Sequence, residues 1–173
     1  MKLFILLFII NLSYSQKTIL LTNHYCGEGI VFNDNVKYPF QEKDYAEFYY
    51  PNIDDIKNAE NILFKNYYNH KIEILNYFKI KDEKINPKYK NPNNVKKKFL
   101  KYNRQYIGYL NNRNEIIVYI GLLNFSNKKK AIKYFENWKE NIIAGSGGFY
   151  NKNQEYFVIN LTKKSIVKKV ANL

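Results

Sequence analysis

The chain has 173 residues, 46% apolar and 17% aromatic, and a formal net charge of +13 at pH 7. That length suits one domain with a true hydrophobic core. A single cysteine, Cys26, excludes an internal disulfide framework, so stability has to come from burial.

Met1 to Ser15 has the parts of a cleavable secretory signal: Lys2, the apolar run Leu3 to Ile10, then small residues Ser13 and Ser15 at the −3 and −1 positions. Cleavage would leave Gln16 first in a mature chain of about 158 residues. The run is well short of the roughly 20 residues of a spanning helix, and no later segment is apolar enough to cross a bilayer. The expectation is a secreted or periplasmic protein with no transmembrane segment once the signal is removed. Residues 16–50 form an N-terminal segment with short strands. Residues 51–173 form an α+β region, and the two together make one structural domain.

Within the first segment, Thr18 to Thr22 and Gly29 to Phe32 are expected as short strands around a turn at His24-Tyr25-Cys26-Gly27. Tyr38 to Tyr50 is rich in aromatics but has no clean period. A helix begins after Pro51, with Asn52 as N-cap and Asp54 and Asp55 in the first turn, where the helix dipole favours negative charge. Ile56, Ala59, Leu63, Tyr67, His70, Ile74 and Phe78 follow at spacings of three or four, a single apolar stripe. The helix ends before Pro87, and Asn86 to Asn94 reads as a turn-rich linker.

The pattern changes from Val95. Tyr102 to Leu110 reads as a strand, Asn111 to Asn114 as a turn, and Ile116 to Phe125 as a strand apolar on both faces, which belongs in the middle of a sheet. Ser126 can cap a short helix with Ala131, Tyr134 or Phe135, and Trp138 on one face. Lys139 to Ile143 is expected to return to strand, with a hairpin turn at Gly145-Ser146-Gly147-Gly148. Tyr156 to Leu161 alternates, Thr162-Lys163-Lys164 turns the chain, and a last strand runs from Ser165 to about Val170. One long helix followed by turn-linked strands predicts an α+β fold, the helix packed on an antiparallel sheet of about four strands, with a short second helix. By analogy the arrangement is cystatin-like or PepSY-like.

The second half resembles small, exported, uncharacterised bacterial proteins. The resemblance rests on YNRQYIGYLN (Tyr102 to Asn111), the WKE segment (Trp138 to Glu140), Gly147-Gly148 and the final hairpin YFVINLTKKSI (Tyr156 to Ile166), and spans roughly residues 52–170. Asn127 to Glu136 is longer than the link such proteins place there. The resemblance implies the fold and an exported address, and no chemistry.

Charge is unevenly spread. Residues 16–86 carry 9 lysines against 11 acids, whereas residues 87–173 carry 18 cations against 4 glutamates. Codon bias acts on both halves alike, so a basic C-terminal half points to an anionic polymer, lipid headgroup or acidic protein. Lys96, Lys97, Lys98, Arg104, Lys128, Lys129, Lys130, Lys163 and Lys164 are the candidate binding residues; Lys168-Lys169 extends the series. Only Arg104 and Arg113 are arginines, which gives poor support to bidentate readout of bases or phosphates. Export argues against intracellular nucleic acid.

Candidate chemistry is thin. Cys26 with His24 or His70 could form a thiolate nucleophile and its base, the two residues of His24-x-Cys26 sharing a face if the segment is extended; a structural cysteine accounts for the same residues. His24, Cys26 and Glu28 fit no common zinc spacing, so no metal or cofactor is expected. Gly145 to Gly148 lacks the Lys-Ser/Thr of a phosphate loop. The acid pairs Asp54-Asp55 and Asp82-Glu83 sit at helix ends, where dipole compensation or solvation explains them. Asn124-Phe125-Ser126 and Asn160-Leu161-Thr162 are glycosylation sequons of use only in a cell with an endoplasmic reticulum. The function expected is an exported, soluble, non-catalytic module that binds a protein or an anionic cell-envelope component. The alternative is a small secreted thiol enzyme using Cys26.

Overall fold

A computed structural model of the chain describes residues 16–34, 36, 44–80 and 83–167. The expected signal peptide, Asp82, the Lys168-Lys169 tract and the end of the expected last strand lie outside them. Seven strands and four α-helices are formed by the described residues: β1 (Lys17–Ile19), β2 (Gly29–Val31), β3 (Tyr45–Tyr49), α1 (Ile53–Tyr77), α2 (Pro92–Phe99), β4 (Tyr102–Asn111), β5 (Ile116–Asn124), α3 (Lys128–Tyr134), α4 (Gly148–Asn153), β6 (Gln154–Asn160) and β7 (Ser165–Ile166). None of these helices is long and apolar enough to cross a membrane.

The long helix starts where its signals are strongest. Asn52 Oδ1 accepts the backbone N–H groups of Asp54 (2.8 Å) and Asp55 (3.0 Å), while Asp55 Oδ2 accepts that of Asn52 (3.0 Å), a complete capping box. The apolar stripe buries Ile56, Ala59, Leu63 and Tyr67, but its last turn buries Leu75 and leaves Phe78 47% exposed. The helix ends on Lys79 in the left-handed region (φ 54°). Lys79 N–H bonds Asn76 O and Ile80 N–H bonds Leu75 O, which satisfies the final carbonyls.

The sheet runs β1-β2-β4-β5-β6-β7, with β3 also on β4. It is mixed, because β2 lies parallel to β4 (Gly29 opposite Arg104, Val31 opposite Tyr106). The far half of the same β4 edge is taken by β3, antiparallel, from Tyr49 opposite Gly108 to Tyr45 opposite Asn111. The antiparallel sheet of about four strands is therefore corrected to a mixed sheet of seven.

Both faces are covered, as the pattern of β5 predicts. Val118, Ile120 and Leu122 pack with Ile56, Leu63, Tyr67 of α1 and Val95, Phe99 of α2. Ile117, Tyr119 and Leu123 pack with Ala131 and Phe135 of the α3 region and with Trp138. Helix α2 arises inside the supposed linker: Asn91 caps it, Pro92 opens it, and Val95 and Phe99 at i, i+4 give it a buried edge. Helix α3 is capped by Asn127 rather than Ser126.

Lys139 to Ile143 does not form a strand. It is held across the sheet face by Gln105, whose Nε2 donates to the carbonyls of Trp138 and Asn141 (2.8 Å to Asn141) and whose Oε1 accepts from Ile143 N–H (2.8 Å). Nor is Gly145 to Gly148 a hairpin turn, since Gly147 (φ 97°) leads into the short helix α4. A Cβ on Gly145 would stand 2.1 Å from the Tyr150 ring, so only glycine lets that ring pack there.

Candidate functional site: an aromatic-walled cleft with a charged floor

A cleft of about 840 Å³ lies between the C-terminal half of α1, α2 and β6. Tyr67, Tyr89, Tyr102 and Phe157 form its inner wall, and Tyr77, Phe78, Ile80 and Tyr156, all substantially exposed, lie around it. Tyr67 meets Tyr89, Phe99 and Phe157 edge-on at centroid distances of 5.5–5.8 Å, which sets the ring planes as a scaffold rather than a collapsed stack.

Glu155 of β6 lies on the floor between two ammonium groups. Lys71 of α1 approaches its Oε2 at 3.0 Å, and Lys98 of α2 donates to its Oε1 and to the Tyr67 hydroxyl. Lys98 Nζ also lies over the rings of Phe99 (4.5 Å), Tyr67 (4.7 Å) and Tyr89 (5.6 Å). Burial acts to raise the pKa of Glu155, but the attraction and hydrogen bonds of Lys71 and Lys98 outweigh it, and the carboxyl is held below its ordinary range. Burial lowers the pKa of the Lys98 ammonium despite Glu155. It raises that of the Tyr67 hydroxyl, with the Glu155 charge adding to the effect. Among the described lining residues four lysines (Lys71, Lys84, Lys98, Lys152) face three glutamates (Glu73, Glu83, Glu155).

The candidate lysines do not meet on one surface. Lys96, Lys97 and Lys98 belong to α2, on the α1 face of the sheet, whereas Lys128, Lys129 and Lys130 belong to α3, on the opposite face. Lys163 and Lys164 sit in the β6–β7 turn, at the other end of the strands. Two of the tracts are also partly engaged: Lys96 donates to Asn23 O, and Lys163 reaches Glu115 Oε1 at 2.7 Å. The Glu115 carboxylate further accepts from Asn111 (2.9 Å) and Asn160 (2.7 Å), a clasp between two neighbouring turns. Those hydrogen bonds, that of Lys163 foremost, depress its pKa to about 2.

Arg104 cannot join any surface patch, because its side chain is fully buried. It sits on the α1 face of β4, with Nε 3.3 Å from Glu60 Oε1 and its guanidinium 4.2 Å from the centre of the Tyr25 ring. Tyr106 donates to the same Glu60 oxygen at 2.8 Å. This replaces the reading of Arg104 as a binding residue.

The thiol pair does not assemble as an extended strand. His24 N–H bonds Leu21 O in a turn (2.7 Å), and Cys26 follows on an exposed bend. The His24 imidazole is lowered in pKa by burial first, with Glu60 opposing, and Cys26 is not among the groups acting on it. His70 lies in the cleft wall, its ring edge-on to Phe157 at 5.8 Å. Among the described residues no three His, Cys, Asp or Glu side chains come together as a metal site.

No protein-family model, curated protein or solved structure matches the chain. Of the candidate binding lysines Lys98 alone lines the cleft, and His70, the alternative base for Cys26, lies in its wall. Glu155 and Lys71 were missed, and their signal was faint: Glu155 is one of only four acids in the basic half.

Proposed function

We propose that the protein is an exported, non-catalytic binding module, and that its ligand lies in the aromatic-walled cleft. The ligand class that fits best is an acidic saccharide of the kind found in cell envelopes. Aromatic rings offer flat apolar faces to sugar C–H groups. Asn151 in the lining offers an amide donor and acceptor. The observation that carries the reading is the floor, where two ammonium groups share the single Glu155 carboxylate. One positive charge in a part-buried site is left for a ligand carboxylate or sulfate. This moves the binding surface from a sum of lysine tracts to one cleft, in which Lys98 is the sole member of those tracts.

The test is titration with heparin-derived or uronic acid oligosaccharides against a neutral oligosaccharide of equal length, followed by amide and side-chain NMR shifts. Shifts confined to the surroundings of Tyr67, Lys71, Lys98 and Tyr156, stronger for the acidic ligand and weakened by moderate salt, are expected. Equal response to the neutral sugar, or shifts around Lys128 to Lys130 instead, would count against the cleft. Lys71→Met should weaken binding several-fold. Glu155→Gln, which uncovers a second cation, should strengthen it.

A further inference from the structure

Tyr67, Lys71 and Ile74 of α1 and Phe78 at its C-cap follow one another at spacings of four, three and four, so they form one row on one helix face. All four line the cleft. Tyr67 is buried against Phe99 and Phe157, whereas Ile74 is half-buried and Phe78 is 47% exposed. The face that packs on the sheet at Ile56, Leu63 and Tyr67 thus runs on past the floor into open cleft.

More apolar groups meet the row at this end. Leu75, Ile80 and Ile85 line the cleft, and the same three line a second hollow of about 650 Å³ beside it, between α1 and residues 83–87. Ile80 is held close to Leu75 by its N–H bond to Leu75 O (2.9 Å). Glu73, Glu83 and Lys84 also line the cleft, but all three are exposed, so their charges stay in water. One recess therefore has ammonium groups on its floor and an apolar extension along the helix.

We propose that the ligand of the cleft is an acidic glycolipid, whose sugar acid meets Lys71 and Lys98 and whose acyl chain lies along Ile74 and Phe78 toward Ile80 and Ile85. The inference rests on the reading of the cleft as a site for an acidic saccharide, and adds the chain. A sugar alone covers the floor and leaves Ile74 and Phe78 in water. A chain covers them, and the burial of apolar surface then adds to the attraction between charges. Phe78 lies seven positions beyond Lys71, roughly 10 Å along the helix axis and about the reach of an eight-carbon chain. Because both kinds of group line the same recess, a single ligand has to satisfy both, which is the composition of an amphiphile.

NMR titration of the full chain with octyl glucuronide, glucuronic acid and octyl glucoside, each below its micelle concentration, tests the proposal. Octyl glucuronide is expected to bind at least tenfold more tightly than either of the others. Phe78→Ser and Ile74→Asn should each lower the affinity for octyl glucuronide several-fold more than that for glucuronic acid. Equal affinity for the two acidic sugars would overturn the inference and leave the saccharide reading in place. Equal affinity for octyl glucuronide and octyl glucoside would overturn it as well, as capture of the chain alone. A dimer in sedimentation that Phe78→Ser dissociates would assign the apolar end to a second copy of the protein and overturn it. No binding of either acidic sugar would remove the saccharide reading and the inference together.

Discussion

Two carboxylates, Glu60 and Glu155, each face cations across the α1 side of the sheet, and they differ chiefly in their access to water. Glu60 and Arg104 are fully buried. Glu155 keeps a side-chain exposure of 19%, and its partners Lys71 and Lys98 keep 29% and 23%. The first pair is locked, since nothing outside can reach it. The second is shielded enough to strengthen its charges yet open enough to exchange partners. A charge cluster is available for recognition when it lies between those extremes of burial.

The largest effect should come from breaking the locked pair. Arg104→Met leaves Glu60 buried without its counter-ion and is expected to cost roughly 3–5 kcal/mol in urea denaturation. The double change Glu60→Met with Arg104→Met should cost less than the single one, because it removes both charges together. If the double variant were the worse of the two, the pair would be net stabilising and the contrast drawn above would fail. Glu155→Gln, by comparison, should cost only about 1 kcal/mol, since both lysines retain access to solvent.

Acid provides a finer test. Glu115 has a folded pKa of about 2, below the value of about 4.3 for an unfolded glutamate. A lowered carboxyl pKa contributes stability above the unfolded value and loses it as pH falls through the folded one. Stability should therefore decline between about pH 5 and pH 2, and Glu115→Gln should flatten that decline. Glu155, shifted in the same direction, also loses stability on acidification, and Glu155→Gln should flatten the decline as well. The smallest effect belongs to the exposed tract: replacing Lys128, Lys129 and Lys130 by alanine together should change stability by no more than about 0.5 kcal/mol. It should leave cleft titrations unaltered.

What could be read from the sequence follows from how local each feature is. The capping box and apolar stripe of α1, the β4–β5 turn and the two-faced burial of β5 are all written in contiguous residues. Strand β3 was not legible, because its five residues are half-exposed, and the register shift between Tyr45 and Glu47 breaks the alternation. Helix α2 hid behind two prolines and four asparagines that resemble a linker; only the Val95, Phe99 spacing marked it. Pairing of β2 with β4 depends on residues far apart in the chain, which no local pattern encodes. Arg104 was assigned to the surface on its charge alone. Glu60, set inside the apolar stripe of α1, was the sign that a buried cation would be needed.

The parallel pairing of β2 with β4 bears on the order of assembly. Strands β4 and β5 are joined by a tight turn, while Glu28 meets Asn103 (3.1 Å) across 75 positions of chain. Closing so long a loop is entropically disfavoured until the partner surface exists. The central hairpin should therefore form early and residues 16–34 dock late, so that Arg104 is sealed from water only at the end of folding. Pulse-labelled hydrogen exchange should show the amides of Val118 and Ile120 protected before those of Ile30 and Val31. Simultaneous protection would mean that the guanidinium is buried at the start of folding and does not act as its final lock.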